Sequence, residues 1–161
     1  MKHILSVLVE NKPGVLSRVT GMVSRRGFNI DSLSVGPTDD DSMSRITIIV
    51  NADELGYEQL TKQLNKLISV FKITDLTDEE AIERELVLFK VSCAPERRNE
   101  LIEISNIFRA RVVDIARSSL TIEATGDEAK LKGLEDLLRP FGIKEVTRTG
   151  IIAMARASKE A

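Results

Sequence analysis

Apolar and polar positions alternate from Lys2 to Val9, the period of a half-buried strand. From Gly14 to Arg26 the spacing becomes helical, with Val15, Leu16, Val19, Met22 and Val23 on one side. Gly27 stops that helix. Phe28 and Ile30 alternate, as do Leu33 and Val35, and the change of phase at Asp31 and Ser32 predicts a β-bulge. The polar, turn-rich stretch from Gly36 to Asp41 leads to Ile46, Ile48 and Val50, which resume period two, so a hairpin follows. Leu60, Leu64, Leu67 and Ile68 keep helical spacing behind a candidate cap at Asp53. The short β-branched stretch from Val70 to Thr74 completes a β-α-β-β-α-β order.

Leu76 to Arg84 is charged and carries no sustained strand or helix pattern, which predicts a domain boundary. The same order of elements then returns. Leu86 to Val91 reads as a strand, and Glu96 to Ala110 as a helix presenting Leu101, Ile104 and Phe108. Val112 to Ala116 and Leu120 to Ala124 read as strands, Asp127 as the cap of a helix bearing Leu131, Leu134, Leu138 and Phe141, and Ile143 to Thr147 as the last strand. The expected fold class is therefore α+β, with two ferredoxin-like domains, residues 1–76 and 85–161, joined by a linker at 77–84.

In such a unit two helices cover one face of a four-stranded antiparallel sheet, and the other face is polar or covered. In the first copy both strand phases are apolar, with Ile4, Leu5, Val7 and Leu8 in one strand and Ile46, Ile48 and Ile49 in another. That predicts a sheet buried on both faces or an edge shared with a second subunit, and a homodimer through the first domain.

Composition narrows the function classes. Acidic residues number 25 and basic residues 23 among 161, so no long-range field favours nucleic acid or an anionic membrane. No apolar run is long enough to span a bilayer, and the first residues carry no signal-peptide pattern. A cytoplasmic protein, or an organellar one after processing, is expected. The single cysteine, Cys93, has no internal disulfide partner and no adjacent base, and reads as a structural thiol. His3, the only histidine, lacks companions for a metal site. Asp39, Asp40 and Asp41 read as a solvated turn rather than a cation site, and Arg25 and Arg26 as cations at a helix C-terminus. The five phenylalanines and one tyrosine do not cluster on central strands as stacking on RNA requires, and no Walker loop, nucleophile elbow or dinucleotide fingerprint occurs. Neither catalytic residues nor metal ligands are expected on this chain.

The candidate binding element is Asn11-Lys12-Pro13-Gly14-Val15-Leu16, where the first strand meets the first helix. Asn11 suits an N-cap, Pro13 a first helical turn, and Gly14 a close approach of ligand to backbone; free N–H groups at a helix start suit a carboxylate. The same residues also make a competent strand-to-helix turn with no ligand.

Within a β-α-β-β-α-β unit, this turn resembles that of the ACT domain, a small-molecule sensor that commonly binds amino acids at dimer interfaces. The continuation is more specific. Asn11, Gly14, Leu16-Ser17-Arg18-Val19, Arg26-Gly27-Phe28-Asn29-Ile30, Ser32-Leu33, Val35, Pro37-Thr38, Asp40 and Ser44-Arg45-Ile46-Thr47-Ile48 together resemble the small regulatory subunits of acetolactate synthase, also called acetohydroxyacid synthase. The resemblance covers essentially the whole chain, with looser agreement in the second half at Ile107-Phe108-Arg109-Ala110 and Val146-Thr147-Arg148-Thr149-Gly150.

It implies a non-catalytic partner of a large catalytic subunit that condenses pyruvate with a second 2-oxo acid at the head of branched-chain amino-acid synthesis. Thiamine diphosphate, Mg and FAD are expected on that subunit and no cofactor on this chain. It further implies activation of the large subunit and feedback inhibition by a branched-chain amino acid, usually valine. Carried over to this chain, the effector is held by Asn11, Gly14, Val15 and Leu16 of one subunit and by Asn29 and Ile30 of the other. An alternative is a free-standing amino-acid-binding ACT regulator of another enzyme, which would bring down no large subunit on purification.

Overall fold

In the computed structural model, which describes residues 1–78 and 80–159, each half of the chain folds as the alternation dictates. The first half runs β1 (Lys2–Glu10), α1 (Val15–Arg25), β2 (Ile30–Pro37), β3 (Met43–Asn51), α2 (Glu54–Asn65) and β4 (Val70–Asp75). Its sheet is antiparallel in the order β2-β3-β1-β4. The register shifts between Ile30 and Ser32, where the phase change predicts a bulge. Leu5, Val7 and Val9 of β1 and Ile46, Ile48 and Val50 of β3 point to one face, where Val15, Val19 and Val23 of α1 and Leu60 and Leu64 of α2 close over them.

The second half runs β5 (Ala81–Ser92), α3 (Arg98–Ile107), β6 (Arg111–Ile115), β7 (Ser119–Gly126), α4 (Glu128–Leu138) and β8 (Ile143–Arg148), then a short β9 (Ile152–Ala155). Its strands β6-β7-β5-β8 are again antiparallel. Val87, Phe89, Val91, Leu120 and Ile122 form the core with Leu101 of α3 and Leu131, Leu134 and Leu138 of α4. Cys93 is buried in this core, as its reading as a structural thiol requires.

The compact units are residues 1–82 with 151–161, and residues 83–150. Two features differ from the sequence expectation. β5 begins at Ala81, inside the expected linker, and residues after Gly150, expected in the second domain, return to the first unit as β9, which pairs with β5. Glu79 of the expected linker, and Glu160 and Ala161 of the expected second domain, lie outside the described residues.

The returning segment explains the doubly apolar first sheet. Ile4 and Ile49, on the face away from the helices, are buried with Leu76 and Ala153, while Ile151, Ala81 and Ala155 pack around them. The Ile151 N–H donates to Ser32 Oγ at 2.9 Å and the Arg156 N–H to the Glu80 carbonyl at 3.2 Å, which pins the strap at both ends. The chain's own C-terminal segment therefore covers these outer apolar positions.

Asp53 and Asp127 cap α2 and α4 as their positions predict, accepting from the N–H of Gly56 at 2.7 Å and of Lys130 at 2.9 Å. Asp53→Ala is expected to cost about 1 kcal/mol of stability, measured by urea unfolding. Among the described residues no helix is long and apolar enough to cross a membrane.

Candidate effector site

The turn between β1 and α1 is built by hydrogen bonds to the connection between β2 and β3. Asn11 donates its N–H to the Ser42 carbonyl at 2.7 Å and its Nδ2 to the Asp41 carbonyl at 2.9 Å. Asn11 is therefore an anchor rather than the expected N-cap. The N-cap is Gly14, in the left-handed region at φ 85°, with no side-chain cap, and Pro13 lies outside the helix. Glycine carries no Cβ penalty there.

The missing side-chain cap leaves donors free. The Val15 N–H reaches the Lys12 carbonyl at 3.3 Å and the Arg18 N–H the Gly14 carbonyl at 3.1 Å. Among the described residues, the N–H groups of Gly14, Leu16 and Ser17 have no protein acceptor. Three such donors at the positive end of α1 are placed so that they could receive a carboxylate, and together they make a candidate cradle.

The side chains around this cradle divide by helix face. Val15 is 3% exposed and packs in the core, so it offers no side chain to a ligand, whereas Leu16 is 41% exposed. Asn29 is exposed and donates Nδ2 to Asp31 Oδ1 at 3.0 Å, which leaves its amide oxygen as an acceptor. Ile30 is half-buried at the start of β2, opposite Val50.

The structure groups Asn11, Gly14 and Leu16 at one end of α1, and Asn29 with Ile30 beyond the other. The eleven-residue helix that stands between the two groups is about 16 Å long. One small amino acid cannot touch both within a single chain.

The aspartate run folds as a turn. Asp40 Oδ1 accepts from the Ser42 hydroxyl at 2.6 Å and the Ser42 N–H at 2.9 Å, and these bonds hold its carboxyl below the usual carboxylate value. Among the described residues no cluster of histidine, cysteine or carboxylates is arranged to hold a metal. His3 stacks on Tyr57 with ring centroids 3.9 Å apart and its Nε2 3.2 Å from the Ala52 carbonyl, so that nitrogen carries the proton. Burial pushes the Tyr57 phenol up. Both rings are packing elements of the first unit.

Sequence reasoning missed two adjoining hollows between α1 and α2. One, of about 280 Å³, lies along Val15, Arg18 and Val19 and the turn from Lys66 to Val70. The other, of about 460 Å³, is lined by Arg26, Gln59, Lys62, Gln63, Asn65 and Lys66. Their residues come from α1, α2 and the segments that follow them, and no contiguous motif announces them.

Comparison with known proteins agrees with this architecture. A family profile described as an AHAS small subunit-like ACT domain matches residues 5–72, and one described as the small subunit of acetolactate synthase matches residues 84–157. The chain is 55% identical over 160 residues to a probable acetolactate synthase small subunit of Archaeoglobus fulgidus, covering 99% of this chain and 100% of that one. It is 51% identical over 157 residues to an acetolactate synthase small subunit of Mycobacterium bovis, covering 98% and 94%. The crystal structure of the acetolactate synthase small subunit from Thermotoga maritima superposes with a TM-score of 0.89 at 39% identity, over 97% of this chain and 98% of that one. The chain belongs to the family of acetolactate synthase small subunits, with an ACT domain as its first half.

Proposed function

We propose that this chain is the non-catalytic regulatory subunit of an acetolactate synthase, which activates the large catalytic subunit in the cytoplasm and makes it sensitive to valine. Thiamine diphosphate, Mg and FAD belong to the large subunit in this reading. The supporting observation is the carboxylate cradle at the start of α1, together with its separation from Asn29 by the length of that helix.

A two-fold pairing of chains reconciles these positions. β2 is an edge strand, so its outer row of backbone groups is free to pair with a second copy. Antiparallel pairing of β2 with itself, end to end, sets Ile30 of one copy opposite Pro37 of the other. Asn29 then falls beside the connection to which Asn11 of the other copy is tied through Asp41 and Ser42. The cradle of one copy receives the valine carboxylate, and Asn29 Oδ1 of the other accepts from its ammonium. Leu16 and Ile30 wall the isopropyl group. Such a wall separates valine from leucine by only about 1–3 kcal/mol.

Asn29→Ala is expected to remove one hydrogen bond to a charged group and cost about 1.5–3 kcal/mol of valine affinity, read by calorimetry. Folded Asn11→Ala and Asn29→Ala chains, allowed to exchange subunits, are expected to regain one intact site per heterodimer. Mixtures that recover no valine binding would contradict a site shared between copies.

A further inference from the structure

We infer that the face between α1 and α2 docks an acidic segment of the large catalytic subunit; the assignment rests on the proposed function above. The chain as a whole is slightly acidic, with a formal charge of −2, yet residues 15–26 carry Arg18, Arg25 and Arg26 and no acid. The two hollows on this face share Lys66, and neither lining includes a carboxylate. Of the cations around them, Lys62 is paired with Glu58 at 3.0 Å. Arg18 donates to the uncharged Ser69 Oγ at 3.2 Å. Arg26 and Lys66 have no carboxylate partner among the described residues.

An apolar anchor completes the surface. Ile68, in the turn after α2, is 94% exposed beside Lys66, while Leu67 next to it packs against the core. An isoleucine fully in water beside uncompensated cations and the carboxamides of Gln59, Gln63 and Asn65 fits a partner segment with carboxylates flanking an apolar residue. The cradle depends on backbone N–H groups at the start of α1, so docking and effector binding use different groups and can be separated by substitution.

The test measures binding of the full chain to purified large subunit at low and high salt. Arg26→Glu with Lys66→Glu is expected to weaken association by about tenfold or more at low salt, and less at high salt, because screening removes what charge reversal opposes. Ile68→Ser is expected to weaken it at both salts. Valine binding by calorimetry stays unchanged in all three substitutions, which verifies folding, and Lys144→Glu on the second unit leaves association unchanged. Equal affinity and equal salt dependence for the double variant overturn the inference. So does saturable pyrophosphate binding that the double variant loses while its affinity for the large subunit is kept, which assigns the face to a small anion. Failure of the unmodified chain to bind the large subunit contradicts the proposed function itself, and this docking assignment with it.

Discussion

Gly14→Asp is expected to raise the valine concentration for half-inhibition by about tenfold to more than a hundredfold while the large subunit remains activated. Loss of charge-assisted hydrogen bonds costs about 1.5–3 kcal/mol, and like-charge repulsion in the cradle adds to it. Two properties of the position make the result interpretable. No atom lies within 4 Å of a Cβ built there, so the side chain enters open space rather than the core. The left-handed backbone at φ 85° costs a non-glycine residue about 1–2 kcal/mol, a penalty that Gly14→Ala shares without the charge. Alanine is therefore expected to lower stability and keep most of the valine response, and aspartate to lose the response. Unchanged valine affinity of Gly14→Asp in calorimetry would place the carboxylate elsewhere.

Ending the chain at Gly150 is expected to destabilise the first unit by about 2–4 kcal/mol, the cost of returning Ile4, Ile49 and Leu76 to water and losing the partly buried Ile151. The sole tyrosine, Tyr57, is buried in that unit and reports its unfolding in urea by fluorescence. Ala153→Asp, which buries a carboxylate among Ile4, Ile49 and Leu76, is expected to act in the same direction in the full-length chain. A fragment ending near Glu83 retains the first six elements but lacks the strap. It is expected to fold less stably and to expose the outer face of its sheet. The loss is expected to extend toward the candidate effector site, because Ser32, which holds Ile151, follows Ile30 at the bulge of β2. Unfolding of the truncated chain at the same urea concentration as the full chain would show that the strap contributes nothing.

Period-two and period-3.6 patterns carry most of the fold, because Leu5, Val7 and Val9 or Leu131, Leu134 and Leu138 state their face locally. The strap was illegible for the opposite reason. β9 is four residues of alanine, isoleucine and methionine, and it pairs with residues of β5 distant in the chain. The apolar second phase at Ile4 and Ile49 announces a cover without saying where it comes from. At the candidate site the sequence offers Asn11 as the cap and Gly14 as a close approach to the backbone, and only geometry decides that asparagine holds the neighbouring connection while glycine takes the cap. The burial of Val15 was legible, since it shares a helical stripe with Val19 and Val23. The cations of the α1–α2 face stand on the two helices and at their C-terminal ends, and converge only in the fold.

The most direct test is titration of this protein into a purified large subunit, with acetolactate formation measured with and without valine. Acetolactate formation is expected to rise to a plateau as the chain saturates the large subunit, and valine to lower that plateau without affecting the large subunit alone. A large subunit whose activity and valine response are the same with and without this chain would contradict a regulatory role.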